Sequence, residues 1–450
     1  MVPRVNLFIP IELKQREFYS KVLIARYAVE RGFRVFLGRK SELNALALRM
    51  ENGVYHGLST AQNMTVFYES LARRGYRISV NDEEGLVTFS DAMYLDLKVA
   101  PTTLRFIDRL FAWGPENHRV LTRGRPEITD RIHISGNPRF DLLKPEFRGI
   151  YDGEVKSIRA RHPKFALICT SFGSCNHYIR DLDYVQSLIE KKVLKNPESI
   201  AAYRRYQEIK MRAWQEFMRA IPLLARAFPK IHFIIRPHPS ENPESYRVFT
   251  GKFPNVFLSD EFSIHPWVLA AKAVVHHHCT SSVEAFAAGT PGFALRPVPD
   301  PQVEKEIPYE CSRQCGSAME LLELLNPAFV DEGERKLSLL KPTFDYREFV
   351  HNIGRPVAGE IIAKEVAQLA KTKGQGRAPY VWGTGRAWLK SFLSPLSPRN
   401  WTNQRYLSHK TATITVAEVR QAIGIFAPNL VTRFRYTRAG PMIVSIDNAV

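Results

Sequence analysis

The chain has 450 residues, 45% of them hydrophobic, with a formal net charge of +18 and a sequence pI of about 9.7. That is enough for two ordinary domains with their own cores. Five cysteines, an odd number spread thinly over the chain, argue against a disulfide framework, and no apolar run is long enough to cross a bilayer. The positive balance calls for an acidic partner: nucleic acid, an anionic membrane surface or a negatively charged substrate.

The opening M-V-P-R-V-N-L-F-I-P reads as a core strand rather than a signal peptide, so a cytoplasmic protein is expected. A helical pattern through Phe18, Val22, Leu23 and Ala28 comes next, ending at Arg31-Gly32, and then the strand F-R-V-F-L-G. This β-α-β unit is the mark of a parallel sheet. The alternation goes on with a helix near Glu42 to Met50, a short G-V-Y-H-G strand, a helix over Met64 to Arg74 and the strand Y-R-I-S-V. Leu110 to Trp113 and Arg131 to Ile134 read as strands flanking a helix at Glu116 to Arg123.

After G-N-P-R-F-D (Gly136 to Asp141), a charged stretch with Pro and Gly runs to about Pro163 and suits an interdomain linker. A second α/β series begins with F-A-L-I-C-T-S-F-G-S, a strand entering a Ser/Gly loop at Ser171 to Ser174. A long helix over Glu198 to Phe228 feeds the strand F-I-I, at whose end stand Arg236, Pro237, His238 and Pro239. In open α/β sheets ligands bind outside the carboxyl ends of strands, and the two prolines stiffen the turn that carries Arg236 and His238.

The stretch Val274 to Gly292 reads as a strand, a polar turn and a helix. Thr280, Ser281 and Ser282 are N-cap residue types, and Gly289 with Pro291 gives the stop. Such a helix start offers unpaired N–H groups and a partial positive charge to a phosphate or diphosphate. Glu284, one step inside the helix, is placed to accept hydrogen bonds from two adjacent ribose hydroxyls; an ordinary capped helix would look the same. Among His276, His277 and His278, strand alternation puts at most His276 and His278 on one face, so His277 or His278 lines the site and no metal is expected there. Cys311 and Cys315 lack a second pair to complete a zinc site.

From Lys371 onward there are twelve basic residues against two acidic ones, Glu418 and Asp447. Interleaved with Tyr380, Trp382, Trp388, Phe392, Trp401 and Tyr406, this basic extension fits anchoring at an anionic membrane face; single-stranded nucleic acid is the other partner of that chemistry.

Two α/β domains joined by a linker present their strand ends to one cleft, a site for a two-substrate reaction. At this point the chain resembles the GT-B glycosyltransferase superfamily, most closely the surface carbohydrate biosynthesis proteins. G-N-P-R-F-D resembles the G-N-x-x-x-D of Kdo transferases and of non-hydrolysing UDP-GlcNAc 2-epimerases. R-P-H-P and H-H-C-T-S-S-V-E-A-F-A-A-G-T-P are similar to the second-domain nucleotide-sugar motifs of those families and of capsule Kdo transferases. The likeness covers about residues 1 to 370, and the order of the motifs carries it. Where the epimerases have a Gly-rich turn this chain has Thr280-Ser281-Ser282, which weakens an epimerase reading.

The resemblance implies two Rossmann-like domains around a central cleft: 1–150 for the acceptor, 151–370 for the nucleotide-sugar, with 371–450 as a basic extension. It implies that Thr280, Ser281 and Ser282 hold the donor phosphates and Glu284 the ribose. It also implies that Arg236 and His238 neutralise the leaving nucleotide and that the Ser171–Ser174 loop, with Gly173, caps the phosphates. His278 and Gly289 complete the nucleotide-sugar set. The expected partners are a UDP- or CMP-linked sugar and a glycan or glycolipid acceptor of a surface polysaccharide or lipopolysaccharide. An anionic inner-membrane surface is a further partner, nucleic acid is not expected, and no cofactor or metal is implied. An epimerase or a polyol-phosphate transferase on the same scaffold is the alternative, and a basic RNA- or membrane-binding protein without chemistry a third class.

Transfer also needs a general base. The candidate loop is V-N-D-E-E-G-L after the strand Y-R-I-S-V, where Asp82, Glu83 and Glu84 are expected to raise one another's pKa by like-charge repulsion. Glu84, just before Gly85, is favoured, with Asp82 as the turn residue. A solvated acidic turn is the plain alternative, and Glu12, Lys14 and Arg16 after the first strand are the next candidates. Asp181-Leu182-Asp183 has D-x-D spacing but does not come after a strand, so no metal role is expected.

Overall fold

The computed structural model describes residues 5–87, 90–179, 182–190, 193–194, 196–330, 345–372, 413–440 and 442–449. The chain divides into two compact units. The first is Met1–Leu86, Tyr94–Ile150 and Tyr346–Val450; the second is Val87–Met93 and Tyr151–Asp345. No helix among the described residues is long and apolar enough to cross a membrane.

The first unit opens with β1 (Asn6–Ile11), α1 (Lys14–Glu30), β2 (Arg34–Arg39), α2 (Lys40–Ala47), β3 (Gly53–Gly57), α3 (Thr65–Arg73) and β4 (Tyr76–Asn81). It continues through α4 (Asp91–Lys98), α5 (Pro101–Leu104), β5 (Arg109–Ala112), α6 (Pro115–Gly124), β6 (Ile132–Ile134) and α7 (Pro138–Asp141). The second unit holds α8 (Asp152–Arg161), β7 (Phe165–Cys169), α9 (Tyr184–Glu190), α10 (Pro197–Ala227), β8 (His232–Arg236), α11 (Glu244–Thr250) and β9 (Val256–Leu258). It ends with α12 (Ile264–Ala270), β10 (Ala273–His276), α13 (Thr280–Ala288), β11 (Gly292–Leu295), α14 (Ile307–Glu310), β12 (Arg313–Cys315) and α15 (Ala318–Val330). The chain then re-enters the first unit as α16 (Ala358–Ala370), α17 (Val416–Phe426), β13 (Phe434–Gly440) and β14 (Ile443–Asn448).

The second unit is a parallel sheet in the order β12-β11-β10-β7-β8-β9. Its central strands are apolar without interruption because helices cover both faces. Ala166, Ile168, Phe233, Ile235 and Val275 pack with α10 and α15 on one face. Phe165, Leu167, Ile234 and Val274 pack with α8, α12 and α13 on the other. The stretch that reads as a linker is therefore largely helical, and α8 closes one face of this core through Ile158.

In the first unit the order is β13-β14-β2-β1-β3-β4-β5-β6, parallel from β2 to β6. β14 pairs antiparallel with β2, and β13 with β14. This corrects the reading of 371–450 as a separate extension and of 346–370 as part of the nucleotide-sugar domain. Residues 413–449 fold back onto the first unit because Val444 and Ile446 are buried against the apolar edge strand β2. Tyr380, Trp382, Trp388, Phe392, Trp401 and Tyr406 lie outside the described residues.

G-N-P-R-F-D is the clasp for that return. Gly136 has φ +83, and a Cβ there would lie 2.1 Å from Asn352 Oδ1. The Asn137 side chain caps α7 by accepting from Arg139 N, and its Nδ2 donates to Asn81 Oδ1 at 3.0 Å. The buried Asp141 carboxylate accepts from Asn352 Nδ2 at 2.8 Å and from the first amides of α16, Ala358 and Gly359, at 3.1 and 2.9 Å.

The inner face of α1 carries charge as well as apolar side chains. Lys21 Nζ lies 2.5 Å from Glu83 Oε1, the two side chains being 1% and 4% exposed. A buried pair of this kind adds little net stability, but breaking it leaves an unpaired charge. Lys21→Ala is expected to lower unfolding stability by about 3–5 kcal/mol, and Lys21→Met with Glu83→Gln to recover much of that. Urea titration of the three proteins measures both values.

Candidate functional site

Strand order fixes where each crevice opens. In the second unit the chain runs from β7 outward through β8 and β9 and returns to the other side of β7 as β10, so the order reverses between β7 and β10. In such sheets the ligand crevice lies outside the carboxyl ends of those strands. The loop leaving β7 is Thr170 to Ser174, and the segment leaving β10 is His277 to Ser282.

These loops are tied together. Ser171 Oγ donates to the His277 carbonyl at 2.6 Å. Glu241, 3% exposed, is the anchor of the neighbouring turn. Its carboxylate accepts from Thr170 Oγ1 at 2.9 Å, Phe172 N at 3.0 Å, His238 N at 3.1 Å and Tyr246 OH at 2.5 Å. Burial pushes the Glu241 pKa up against the pull of those donors. Gly173 passes so close to Ser240 that a Cβ would sit 2.0 Å from its Oγ. One carboxylate thus joins the R-P-H-P turn to the Ser171–Ser174 loop, and the sequence reading missed it because a Glu three residues beyond a His carries no pattern of its own.

α13 begins at Thr280 with Cys279 as its N-cap, and no side chain caps it. This corrects the expectation that Thr280, Ser281 or Ser282 caps the helix. Ser282 Oγ donates back to the Cys279 carbonyl at 2.8 Å and Ser281 Oγ pairs with Cys279 Sγ at 3.1 Å. The helix stops where expected: Gly289 adopts a left-handed conformation (φ 76°, ψ 22°) and its N–H bonds to Ala285 and Phe286 carbonyls. Glu284 lies beyond the first turn and is 1% exposed. Its Oε1 lies 3.3 Å from His265 Nε2, and His265 Nδ1 pairs with Tyr151 OH at 2.9 Å, so His265 of α12, itself braced by Tyr151 just before α8, holds the carboxylate in place.

Arg236 turns its guanidinium to the carbonyls of Glu261 and Phe262 at 2.6 and 2.5 Å, fixing the segment after β9. His238 is exposed, with Nδ1 2.8 Å from Ser240 Oγ. All three histidines, His276 at the end of β10 and the two after it, are buried, and burial lowers each pKa, so they are neutral. His278 takes φ 44° and its Nε2 accepts from Lys305 N at 3.0 Å. The other group not read from the sequence is Lys210 on α10, 1% exposed, whose Nζ donates to Ser171 Oγ at 2.8 Å.

In the first unit the order reverses between β1 and β3. Glu12, Lys14 and Arg16 come after β1. Glu12 pairs with Lys40 at 2.9 Å and Lys14 with Glu418 of α17 at 2.6 Å. Asp82, Glu83 and Glu84 come after β4, on the far side of β3. Mutual repulsion does not set their acidity. Burial pushes Glu83 up, but Lys21, Arg139 and Arg16 together outweigh it and hold the carboxyl below its usual range. Burial likewise pushes Glu84 up, yet Lys98 at 2.6 Å and Arg16 at 3.4 Å bring it down to about 2. Asp82 goes the other way. Burial raises it to about 6, with Lys98 opposing and Glu84 adding to the rise. Its Oδ1 accepts from Glu84 N at 3.1 Å, and the Tyr94 hydroxyl lies within hydrogen-bonding reach of the carboxylate. The mutual rise expected of the three acids is thus not what is found: cations from α1 and α4 hold the two glutamates down, and only the aspartate is raised. Of the D-x-D spacing, Asp181 lies outside the described residues, and Asp183 accepts from Gln186 N at the start of α9.

No protein-family model matches the sequence, and no curated protein matches it. Solved structures do. The Staphylococcus aureus MnaA–UDP complex is 11% identical with a TM-score of 0.52, over 84% of this chain and 99% of that one. The UDP-GlcNAc 2-epimerase of Methanocaldococcus jannaschii is 11% identical at 0.51, over 81% and 100%. A putative UDP-N-acetylglucosamine 2-epimerase of Listeria monocytogenes is 11% identical at 0.50, over 84% and 100%. At this identity the likeness is one of fold: two Rossmann-like α/β domains of the GT-B type.

Glu241→Ala is expected to lower stability by roughly 3 kcal/mol or more, since several buried donors lose a charged acceptor. Hydrogen exchange would show it locally, as faster exchange of the Phe172 and His238 amides than of the β8 core. Unchanged protection there would refute the anchoring role.

Proposed function

We propose that the protein is a metal-independent glycosyltransferase of surface polysaccharide or lipopolysaccharide synthesis, using a nucleotide-sugar donor held by the second unit. The observation that carries this reading is the convergence, at the β7/β10 strand reversal, of the amide-rich start of α13, the serines of two loops and the buried Glu284. The α13 amides and Ser281 bind the donor phosphates, and Glu284, positioned by His265, takes the ribose hydroxyls.

In the reaction the acceptor oxygen bonds to the anomeric carbon while the bond from that carbon to the phosphate oxygen breaks, its electron pair leaving with the nucleotide. Fixed donors at the leaving phosphate do the work of a cation. Asp82 takes the hydroxyl proton. Its pKa near 6 leaves it ionised at neutral pH yet more basic than an ordinary carboxylate. Glu83 and Glu84, neutralised by lysine and arginine, are weak bases and serve the loop's shape.

A second reading is favoured by the matched UDP-GlcNAc 2-epimerases. In it the same donor site holds UDP-GlcNAc and the poised carboxylate takes a proton from the sugar. Incubating the protein with UDP-GlcNAc and no acceptor separates the two, because only an epimerase changes the sugar under those conditions.

Calorimetric titration with UDP, CDP, CMP and GDP is expected to show binding of at least one, weakened roughly tenfold or more by Glu284→Ala and by Ser281→Ala, each the loss of a polar ligand contact. No binding by the wild-type chain would overturn the donor site. Activity is expected to survive EDTA, and loss restored by manganese would overturn metal independence.

Asp82→Asn is expected to lower single-turnover transfer by about 10²–10⁴-fold with donor affinity kept, whereas Glu84→Gln changes it little. A base must be ionised to act, so the wild-type rate should rise with pH through about 6 and level above it. The reverse ranking of the two variants would return the role to Glu84.

A further inference from the structure

The helix α10 carries a lysine where a helix facing a sheet would normally carry an apolar residue. Lys210 lies on the buried stripe with Tyr206, Ile209, Ala213 and Phe217. Its ammonium donates to Ser171 Oγ at 2.8 Å, with the His277 carbonyl at 3.4 Å, and faces the rings of Tyr206 and Phe172 at 5.2 and 5.7 Å.

The charged and titratable groups around it come from several segments. Glu304 lies beyond β11, His276 at the end of β10 with His277 and His278 after it, Cys279 at the start of α13, Cys175 in the β7 loop and Glu241 in the β8 turn; burial together with the Lys210 charge holds the three histidines neutral. None of these side chains is hydrogen-bonded to the ammonium. Glu304 accepts from Tyr309 OH and pairs with Arg296 at 3.1 Å, while Glu241 is taken up by Thr170, Phe172, His238 and Tyr246. Both thiols are raised by burial and so are uncharged.

Among the described residues a hydroxyl, a carbonyl and two ring faces lie against the buried ammonium, an environment that makes the charge costly to fold. Its location is informative: both of its hydrogen-bond partners belong to the two loops at the β7/β10 reversal, one of them two residues before the N-cap of α13. In the same loop the Ser174 hydroxyl is buried with no hydrogen-bond partner among the described residues.

We propose that Lys210 is a phosphate-binding residue of the donor site, its ammonium pairing with a phosphate oxygen of a nucleoside diphosphate seated at the start of α13. This rests on the donor-site reading above and adds to it a cation, since Arg236 is engaged with the Glu261 and Phe262 carbonyls. Burial lowers the Lys210 pKa to about 8, consistent with a charge whose compensating anion is the ligand.

The linkage has a definite sign. In the free protein the ammonium loses its proton above about pH 8, whereas a bound phosphate favours the charged form. Binding therefore takes up a proton, and affinity for a diphosphate falls as pH rises above about 8.

The test uses the full chain and four probes, UDP, CDP, uridine and cytidine, titrated by calorimetry against wild type, Lys210→Met and Lys210→Arg at pH 7 and 9. Lys210→Met is expected to bind the diphosphates roughly ten- to hundredfold more weakly while keeping its affinity for the matching nucleoside. It is also expected to lose the weakening between pH 7 and 9 that the wild type shows. Its melting temperature without ligand should equal or exceed that of the wild type, since a buried charge has been removed. Lys210→Arg should recover part of the diphosphate affinity.

Unchanged diphosphate affinity in Lys210→Met overturns the inference and leaves the donor-site reading standing. Equal loss of nucleoside and diphosphate binding together with a lowered melting temperature also overturns it, by showing a packing role. A wild-type chain that binds neither UDP nor CDP overturns the inference, and failure of CMP and GDP as well overturns the donor-site reading.

Discussion

Parallel strands can succeed one another only through crossovers, and a sheet that grows outward from its first strand in both directions must reverse its order once. That constraint fixes where the crevices of the two sheets open. In the second unit the reversal falls between β7 and β10, and in the first between β1 and β3. At each, two neighbouring strand ends release their loops in opposite directions. Thr170 to Ser174 and His277 to Ser282 are brought together by that topology, although about a hundred residues of chain separate them. Glu241 then stiffens the arrangement, a single buried carboxylate holding donors from three segments.

The acidic loop after β4 shows how little a run of like residues says about its own electrostatics. Three adjacent carboxylates on a bare turn would repel and all become weaker acids. In the folded chain α1 delivers Arg16 and Lys21 and α4 delivers Lys98. These attractions act at 2.5 to 3.4 Å and exceed both repulsion and burial at Glu83 and Glu84. Asp82 lies within reach of Tyr94 and keeps the rise that burial imposes although Lys98 opposes it. One turn thus contains two neutralised acids and one acid of altered strength, and the difference comes from helices distant in sequence.

The alternation of apolar runs was enough to read both α/β series, because a strand covered on both faces is apolar throughout and its helices are not. F-A-L-I-C, F-I-I and the strand ending at His276 fall where the pattern places them, as does the left-handed stop at Gly289. What could not be read was anything decided by long-range contact. The N-cap moved to Cys279 because cap geometry depends on the turn rather than on the residue type. Arg236 stands at a strand end as read, but nothing local says that its guanidinium is used by the backbone of Glu261 and Phe262. Lys210 and Glu241 are each one polar residue in an ordinary setting until the sheet is assembled around them.

The end of the chain gives the same lesson about charge. Taken by composition, the residues after Lys371 form a basic tail. The described part of that tail is instead the completion of the first sheet, with β14 hydrogen-bonded along β2 and Asp447 paired to Arg34 at 3.1 Å. Glu418 acts twice, since its carboxylate closes the capping box of α17 with Thr415 and also holds Lys14 at the start of α1. The two acidic residues of this segment are therefore both engaged in docking it. The arginines beside them, Arg420, Arg433, Arg435 and Arg438, are all exposed. The positive excess there is a set of charges displayed by a helix and an edge strand of fixed geometry. An anionic surface meeting this region would encounter folded structure carrying exposed arginines, and its attraction would fall with ionic strength as exposed charges do.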